Sequence, residues 1–324
     1  MSEIHHFSIS TPQGLTLAIR RTRSAGASPA AGTRPLLIVP GYGMNSFVFG
    51  FHPLGLSLEA HLASRGLEVW SVDLRGQGSS SSAPHPDYGL GDLAVEDLGA
   101  AIDFVCTNTT LGDGPVDLVG CSLGASICFA HLACVPGAKV RAVVNMGGMV
   151  TWRKTHPLVQ VAFASPWLVG KVKFSGTRSI ARLALPLIAR TLPKLLSIYL
   201  NPETTDLARA DTMVNTVEDP VPSINREIAK WLRSRELSVR GVNVSRALRT
   251  MKNPLLCIVA NQDGIVPPET ARAVYDEIGS DIRELLSVGS VDWPVAHADL
   301  FLGRHAQERI FEPMARFLLA LPRG

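Results

Sequence analysis

A serine with a glycine two residues to either side, Gly120-Cys121-Ser122-Leu123-Gly124, is the pattern in this chain best suited to covalent chemistry. The run before it, Val116-Asp117-Leu118-Val119, reads as a buried strand, and Ala125, Ile127, Phe129 and Ala130 after it read as a helix. A strand that becomes a helix over one residue needs small neighbours so that the two backbones can approach. It also holds Ser122 in a strained backbone position with its hydroxyl pushed out of the sheet. The first N–H groups of the helix have no intrahelical acceptor and face any oxygen beside Ser122. The same residues also suit a plain turn in which the Ser122 hydroxyl caps the helix. Cys121 lies in the turn but not at the nucleophile's position.

A serine hydroxyl is a weak nucleophile until a neutral imidazole accepts its proton. A carboxylate then fixes the tautomer of that imidazole and stabilises its charged form. Attack on a carbonyl creates an oxyanion that needs N–H donors already in place. Loops at strand ends bring such residues together from distant parts of a chain without distorting the sheet.

The elements predicted along the chain fit that requirement. Residues 4–10 and 15–22 alternate apolar and polar side chains around Thr11-Pro12-Gln13-Gly14, as a β-hairpin at a sheet edge does. A loop rich in Ala, Gly and Ser spans 24–33. Residues 35–39 form a short apolar strand emptying into Pro40-Gly41-Tyr42-Gly43, followed by a helix near 54–65. Residues 67–73 form the next strand and end in Asp73-Leu74-Arg75-Gly76-Gln77-Gly78-Ser79. A helix over 91–106 precedes the serine's strand, and a strand over 140–145 follows its helix. Strands alternating with helices predict a mostly parallel sheet covered on both faces. From Thr151 to Arg246 the alternation stops: no strand is evident, only apolar helical stretches interrupted by Pro157, Pro166, Pro186, Pro193, Pro202, Pro220 and Pro222. It resumes with a strand over 254–260, a helix over 267–278, a strand near 282–288 and a last helix over 302–320. The expected organisation is a first core part over 1–150, a helical cap over 151–246 and a second core part over 247–324. An insertion at the carboxyl ends of the strands lies over the site such sheets build there.

This arrangement resembles the α/β-hydrolase family, in particular its capped serine esterases and lipases, and the likeness covers essentially the whole chain outside the cap. Gly120-Cys121-Ser122-Leu123-Gly124 resembles the family's nucleophile elbow, and Asp73-Leu-Arg-Gly-Gln-Gly-Ser79 is similar to its D-x-R-G-x-G-x-S turn. The resemblance implies an α/β-hydrolase fold and a triad in the order serine, acid, histidine. It places the acid at Asp263, just past a strand, and the base at His297, just past the last one. It also implies backbone oxyanion donors at Leu123, after the nucleophile, and at Tyr42, in a loop that begins Pro40-Gly41 where many relatives have His-Gly. An ordinary turn aspartate at Asp263 fits the same Asp-Gly pair; Asp292 and Asp299 are rival acids, less well placed. His305 falls inside a helical pattern, and His52, His61, His131 and His156 have no partner pattern. Asp73 and Arg75 are expected to stabilise their own turn.

At 324 residues, 46% hydrophobic and 18% charged, the chain suits one large domain with an insertion. The start Met1-Ser2-Glu3-Ile4-His5-His6 lacks the pattern of a signal peptide, and no apolar run is long enough to span a membrane. Five scattered cysteines with no metal-ligand spacing suit a reducing, cytoplasmic setting. Between Thr151 and Arg246 stand 15 Lys or Arg against 7 Asp or Glu, although the whole chain is only +3. Arg153, Lys154, Lys171, Lys173, Arg178, Arg182, Arg190 and Lys194 meet no acid before Glu203. A basic, apolar helical lid suits a long acyl chain and peripheral contact with an anionic head group or lipid surface; a solvated basic face over an ordinary helical core fits the same residues.

The function expected is cleavage of a carboxylic ester, with a hydrophobic acyl chain, through an acyl-enzyme at Ser122. No metal, nucleotide or organic cofactor is implied: Gly41-Tyr42-Gly43 lacks the lysine of a phosphate loop and the third glycine of a dinucleotide fingerprint. Nucleic-acid binding has little support, since the positive charge is confined to an apolar cap. Serine at the elbow argues against epoxide hydrolases and haloalkane dehalogenases, which place aspartate there. Residues 35–42 and 297–303 also look somewhat like polyhydroxyalkanoate synthases, which use cysteine where this chain has Ser122. Acyl transfer, polyester chemistry and thioester hydrolysis therefore stay open, as does a non-catalytic binding protein on the same fold.

Overall fold

The computed structural model describes residues 2–26, 29–30, 32–80, 87–171, 176–192 and 196–322. Its strands are β1 (Ser2–Ser10), β2 (Thr16–Ser24), β3 (Leu36–Val39), β4 (Val69–Asp73), β5 (Val116–Cys121), β6 (Val140–Met146), β7 (Ser238–Val239), β8 (Val242–Asn243), β9 (Leu255–Ala260) and β10 (Arg283–Val288). Eight of them form one sheet in the order β1-β2-β4-β3-β5-β6-β9-β10. The hairpin β1–β2 and the pair β2–β4 are antiparallel, and every other neighbour is parallel. The serine's strand, β5, therefore lies between β3 and β6, well inside the sheet.

Every residue of β3, β4, β5, β6 and β9 is buried, because helices cover both faces. That is why these strands read as continuous apolar runs while β1 and β2, at the edge, alternate. Successive residues of one strand feed opposite cores: Leu37 and Val39 belong to one apolar cluster, Leu36 and Ile38 to the other. The first cluster takes in α2 (Leu98–Asn108) and α3 (Leu123–Cys134). The second takes in α1 (Leu58–Ser64) from the opposite face.

The segment between β6 and β9 holds α4 (Pro157–Ala162), α5 (Pro166–Val169), α6 (Thr177–Thr191), α7 (Ala210–Met213), α8 (Pro222–Ser234) and α9 (Val244–Ala247). Pro157, Pro166 and Pro222 begin helices, where a missing N–H costs nothing, whereas Pro186 sits inside α6. No residue of α4, α5 or α6 is buried, but α8 sends Ile224, Ile228 and Trp231 into the core cluster that contains α3. The segment is not free of strand: β7 and β8 pair across Arg240 and Gly241, both at positive φ as a two-residue hairpin requires. Such short strands have no periodicity to read. Lys173, Pro193, Lys194 and part of the 24–33 loop lie outside the described residues.

After β9 come α10 (Pro268–Glu277), α11 (Asp299–Leu302) and α12 (Glu312–Ala320), the last packed in the second cluster. The single helix expected over 302–320 is broken. Gly303 leaves α11 in extended conformation and bridges Thr205 of the insertion, and a π-helical turn over Gln307–Phe311 leads into α12. Among the described residues no helix is long and apolar enough to cross a membrane.

Candidate active site

Ser122 joins β5 to α3 with φ 54° and ψ −124°, one of three non-glycine residues at positive φ among the described residues. Two glycines make that turn sterically possible. A Cβ at Gly120 would lie 2.2 Å from the Ala125 Cα, and one at Gly124 would lie 2.3 Å from the Val39 carbonyl oxygen. Gly41 closes the opposite side, where a Cβ would come within 2.9 Å of the Ser122 Cβ. The backbone N–H of Ser122 donates to Met146 O at 3.0 Å. Its side chain is 7% exposed, and its hydroxyl has no hydrogen-bond partner among the described residues. The thiol of neighbouring Cys121 is pushed well up by complete burial, so it stays protonated.

Asp263 follows β9, and one of its oxygens, Oδ1, accepts from the N–H groups of Ile265 at 2.9 Å and Val266 at 2.8 Å. The other, Oδ2, is 2.5 Å from His297 Nδ1. Both residues are buried. With Nδ1 donating its proton to the carboxylate, Nε2 is left as the acceptor on the far side of the ring. The turn Gly147-Gly148 adjoins both that ring and the serine: a Cβ at Gly147 would lie 3.5 Å from His297 Cε1, and one at Gly148 would lie 2.6 Å from Ser122 O. The structure thus joins acid and histidine, and the same two-glycine turn touches both histidine and serine, with no hydrogen bond between hydroxyl and imidazole. Such bonds commonly tighten only when substrate is present.

The backbone N–H of Leu123 opens α3, and no acceptor among the described residues takes it or the N–H of Tyr42. The Tyr42 loop is held from below by Gln77, whose amide donates to Gly41 O at 3.2 Å. The Tyr42 hydroxyl donates to Asn225 Oδ1 on α8, and burial pushes its phenol up to about 12. A cavity of about 30 Å³, room for a water, lies between Tyr42, Leu123, Arg75 and Glu218. Arg75 and Asp73 hold their turn, as expected. Arg75 is bonded to Asp97 and Glu96, and Asp73 accepts from Ser46 N and Ser79 N.

Asp299 makes no hydrogen bond to the histidine's ring, yet it organises the loop that carries it. Its buried carboxylate accepts from Ala296 N, Asn201 N and the hydroxyls of Thr204 and Thr205. Burial raises it above the usual carboxylate range in spite of those donors. Nothing in the local sequence marks this role, since three of the partners lie 94 to 98 residues away. Tyr199, from the same insertion, sits with its ring 5.9 Å from that of His297. The other histidines considered are engaged elsewhere: His305 meets Trp293 edge-to-face, His52 bonds Gly303 O, His61 Glu312, His131 Ala94 O, and His156 caps α4. Among the described residues no group of three His, Cys, Asp or Glu side chains could hold a metal ion.

Residues 36–304 match the model of the alpha/beta hydrolase family. No curated protein matches the chain in sequence. Among solved structures, an esterase from Exiguobacterium antarcticum is similar with TM-score 0.65 and 15% identity, over 97% of this chain and 99% of that one. An esterase from Rhodococcus sp. ECU1013 is similar with TM-score 0.63 and 18% identity, over 98% and 99%. A meta-cleavage product hydrolase from Pseudomonas fluorescens IP01 is similar with TM-score 0.60 and 14% identity, over 96% of each. At these identities the likeness is one of fold.

Proposed function

The chain belongs to the alpha/beta hydrolase family, and on that premise we propose that it is a serine hydrolase of carboxylic esters. Ser122 Oγ attacks the ester carbonyl carbon while His297 Nε2 takes the hydroxyl proton. The imidazolium so formed is stabilised by Asp263 through Nδ1–H. The tetrahedral oxyanion is held by the N–H groups of Leu123 and Tyr42. Collapse breaks the bond to the alcohol, which leaves with the proton from Nε2, and an acyl group remains on Ser122. Water activated by the same nitrogen then attacks the acyl carbon, and Ser122 leaves with its proton restored.

The observation that carries this reading is the strained Ser122 at the head of α3, in the same site as the 2.5 Å bond between His297 and Asp263. A residue at such a φ and ψ costs stability and is held by its surroundings, here by three glycines that admit no side chain. In this reading residues 151–246 act as a cap. Its chain touches the acid and base loops, where Gly264 N donates to Ile198 O and Ala298 N to Tyr199 O. The apolar side chains of the cap favour hydrophobic acyl groups. The five free cysteines support a reducing, cytoplasmic setting.

A panel of p-nitrophenyl esters from acetate to palmitate, with the matching acyl thioesters, tests the proposal. Turnover of the esters that is lost in Ser122→Ala, and is sustained or rising toward the longer chains, supports it. Turnover of thioesters alone would replace the substrate class. A steep fall with chain length would remove the hydrophobic acyl group, and no turnover at all would leave a binding protein.

A further inference from the structure

The helix α6 carries apolar side chains on the side that faces solvent. Ile180, Leu183 and Leu187 recur at helical spacing on one face and are 61%, 80% and 61% exposed. Trp167, in the short helix α5, is 67% exposed. Arg190 borders the α6 stripe, Arg182 is exposed on the adjoining side of the helix, and Lys171 places its ammonium 3.9 Å from the centre of the Trp167 ring. Three other bases between 151 and 190 are paired: Arg153 with Asp276 and Glu277, Lys154 with Glu269, and Arg178 with Glu218. Lys171, Arg182 and Arg190 have no ion pair among the described residues, and the sequence supplies no acid between Asp117 and Glu203.

We propose that the exposed sides of α5 and α6 dock on an anionic lipid surface, with Ile180, Leu183, Leu187 and Trp167 entering the headgroup boundary and Lys171, Arg182 and Arg190 meeting the negative headgroups. An exposed apolar stripe rimmed by uncompensated positive charge is complementary to such a surface on both counts. A second copy of the chain would answer only the apolar half, because it would bring the same positive charges against one another. An indole with a lysine above it suits a boundary where one end of the side chain is apolar and the other wet.

The face is also wired to the candidate site. At the start of α6, Gly176 N and Thr177 N donate to the Asp219 carboxylate, and Arg178 bonds Val217 O and Glu218. Glu218 in turn accepts from Gly78 N and Asn45, and its own N–H donates to Gly43 O beside Tyr42. Beyond the far end of α6, Ile198 and Tyr199 bond the Asp263 and His297 loops. Docking on this face therefore bears on the element fastened to both sides of the site. That it delivers lipid-borne esters to Ser122 rests on the proposed function; the docking itself does not.

The test is co-sedimentation of the full-length protein with vesicles of phosphatidylcholine alone or mixed with phosphatidylglycerol, together with tryptophan emission. Trp70, Trp152 and Trp231 are buried, so a blue shift lost in Trp167→Phe reports on this face. The expected result is binding about a hundredfold tighter to the anionic vesicles, from three bases near the surface, and weakened by salt. Arg182→Glu with Arg190→Glu abolishes the preference, and Leu183→Gln with Leu187→Gln abolishes binding at unchanged melting temperature. Ser122→Ala binds like the wild type, so vesicle binding by a protein with no esterase activity would sink the proposed function and leave the docking standing. No binding, equal binding to neutral vesicles, or a dimer in solution that Leu183→Gln dissolves would each overturn the docking.

Discussion

The turn at Ser122 and the helix α6 are both built from small and apolar residues, and they place them in opposite directions. Around Ser122 the residues of β5 and the first turns of α3 are buried, each glycine stands where a Cβ would collide, and the polar groups of Asp263 and Asp299 are matched by donors. Along α6 no residue is buried and the largest side chains point outward. The first region has one conformation available to it because packing over-determines it. The second is attached at its ends, through Asp219 and Glu218 on one side and Ile198 and Tyr199 on the other, with an open face between. On the proposed function and docking, the contrast separates two tasks: the sheet fixes the geometry for chemistry, and the insertion presents a surface.

If the buried region alone sets the chemistry, small changes there act steeply. Asp263→Asn keeps the shape but cannot hold the Nδ1–H tautomer, and kcat on a turned-over ester is expected to fall about 10⁴-fold with little change in melting temperature. Gly41→Ala forces a methyl group against Cys121 O and the Ser122 Cβ at 2.8 and 2.9 Å. Displacing the Tyr42 donor in this way is expected to lower kcat about 10²-fold, and steady-state kinetics beside a thermal melt separates that loss from unfolding.

Asp299→Asn turns part of an all-acceptor group into a donor facing the N–H groups of Ala296 and Asn201. Asn201 N bonds both oxygens and keeps one, but the buried Ala296 N loses its acceptor or the threonine hydroxyls must turn, and a loss of about 1–3 kcal/mol is expected by urea titration. A loss confined to a few tenths would show that the insertion is not anchored there.

Acidity separates the regions as well. Burial holds His52 and His131 below their ordinary value of 6.5, so both are neutral in the fold and take up protons more readily when unfolded. Their contribution to stability is full above that value and is lost as pH falls through it toward their folded values. The melting temperature is expected to drop between about pH 7 and pH 5, with a shallower drop in His131→Gln. At the other extreme, Leu183→Gln on the open face should change stability by less than about 0.5 kcal/mol in the absence of lipid.

The sequence made the inner strands legible because each is a continuous apolar run ending in a glycine or aspartate turn; their order and register were not legible, since burial on both faces leaves no alternation to fix them. The elbow was legible for a sharper reason, since Gly120 and Gly124 are the residues its steric demands require. Long-range polar contacts were not legible. Asp299 reads as one acid near His297 among others, and only the fold brings Asn201, Thr204 and Thr205 to it. The Tyr42 hydroxyl likewise meets Asn225 across 183 residues. The break at Gly303 escaped because Leu300, Phe301 and Leu302 before it and Ile310 and Phe311 after it all face one core, so their spacing imitates a single helix.

The claim on which the rest depends is that Ser122 is an activated nucleophile. Incubation of the folded protein with a fluorophosphonate probe, followed by peptide mass spectrometry, measures that directly. The account predicts one adduct, on Ser122, absent from Ser122→Ala. No adduct on a folded protein, or an adduct on another residue that survives in Ser122→Ala, would contradict it.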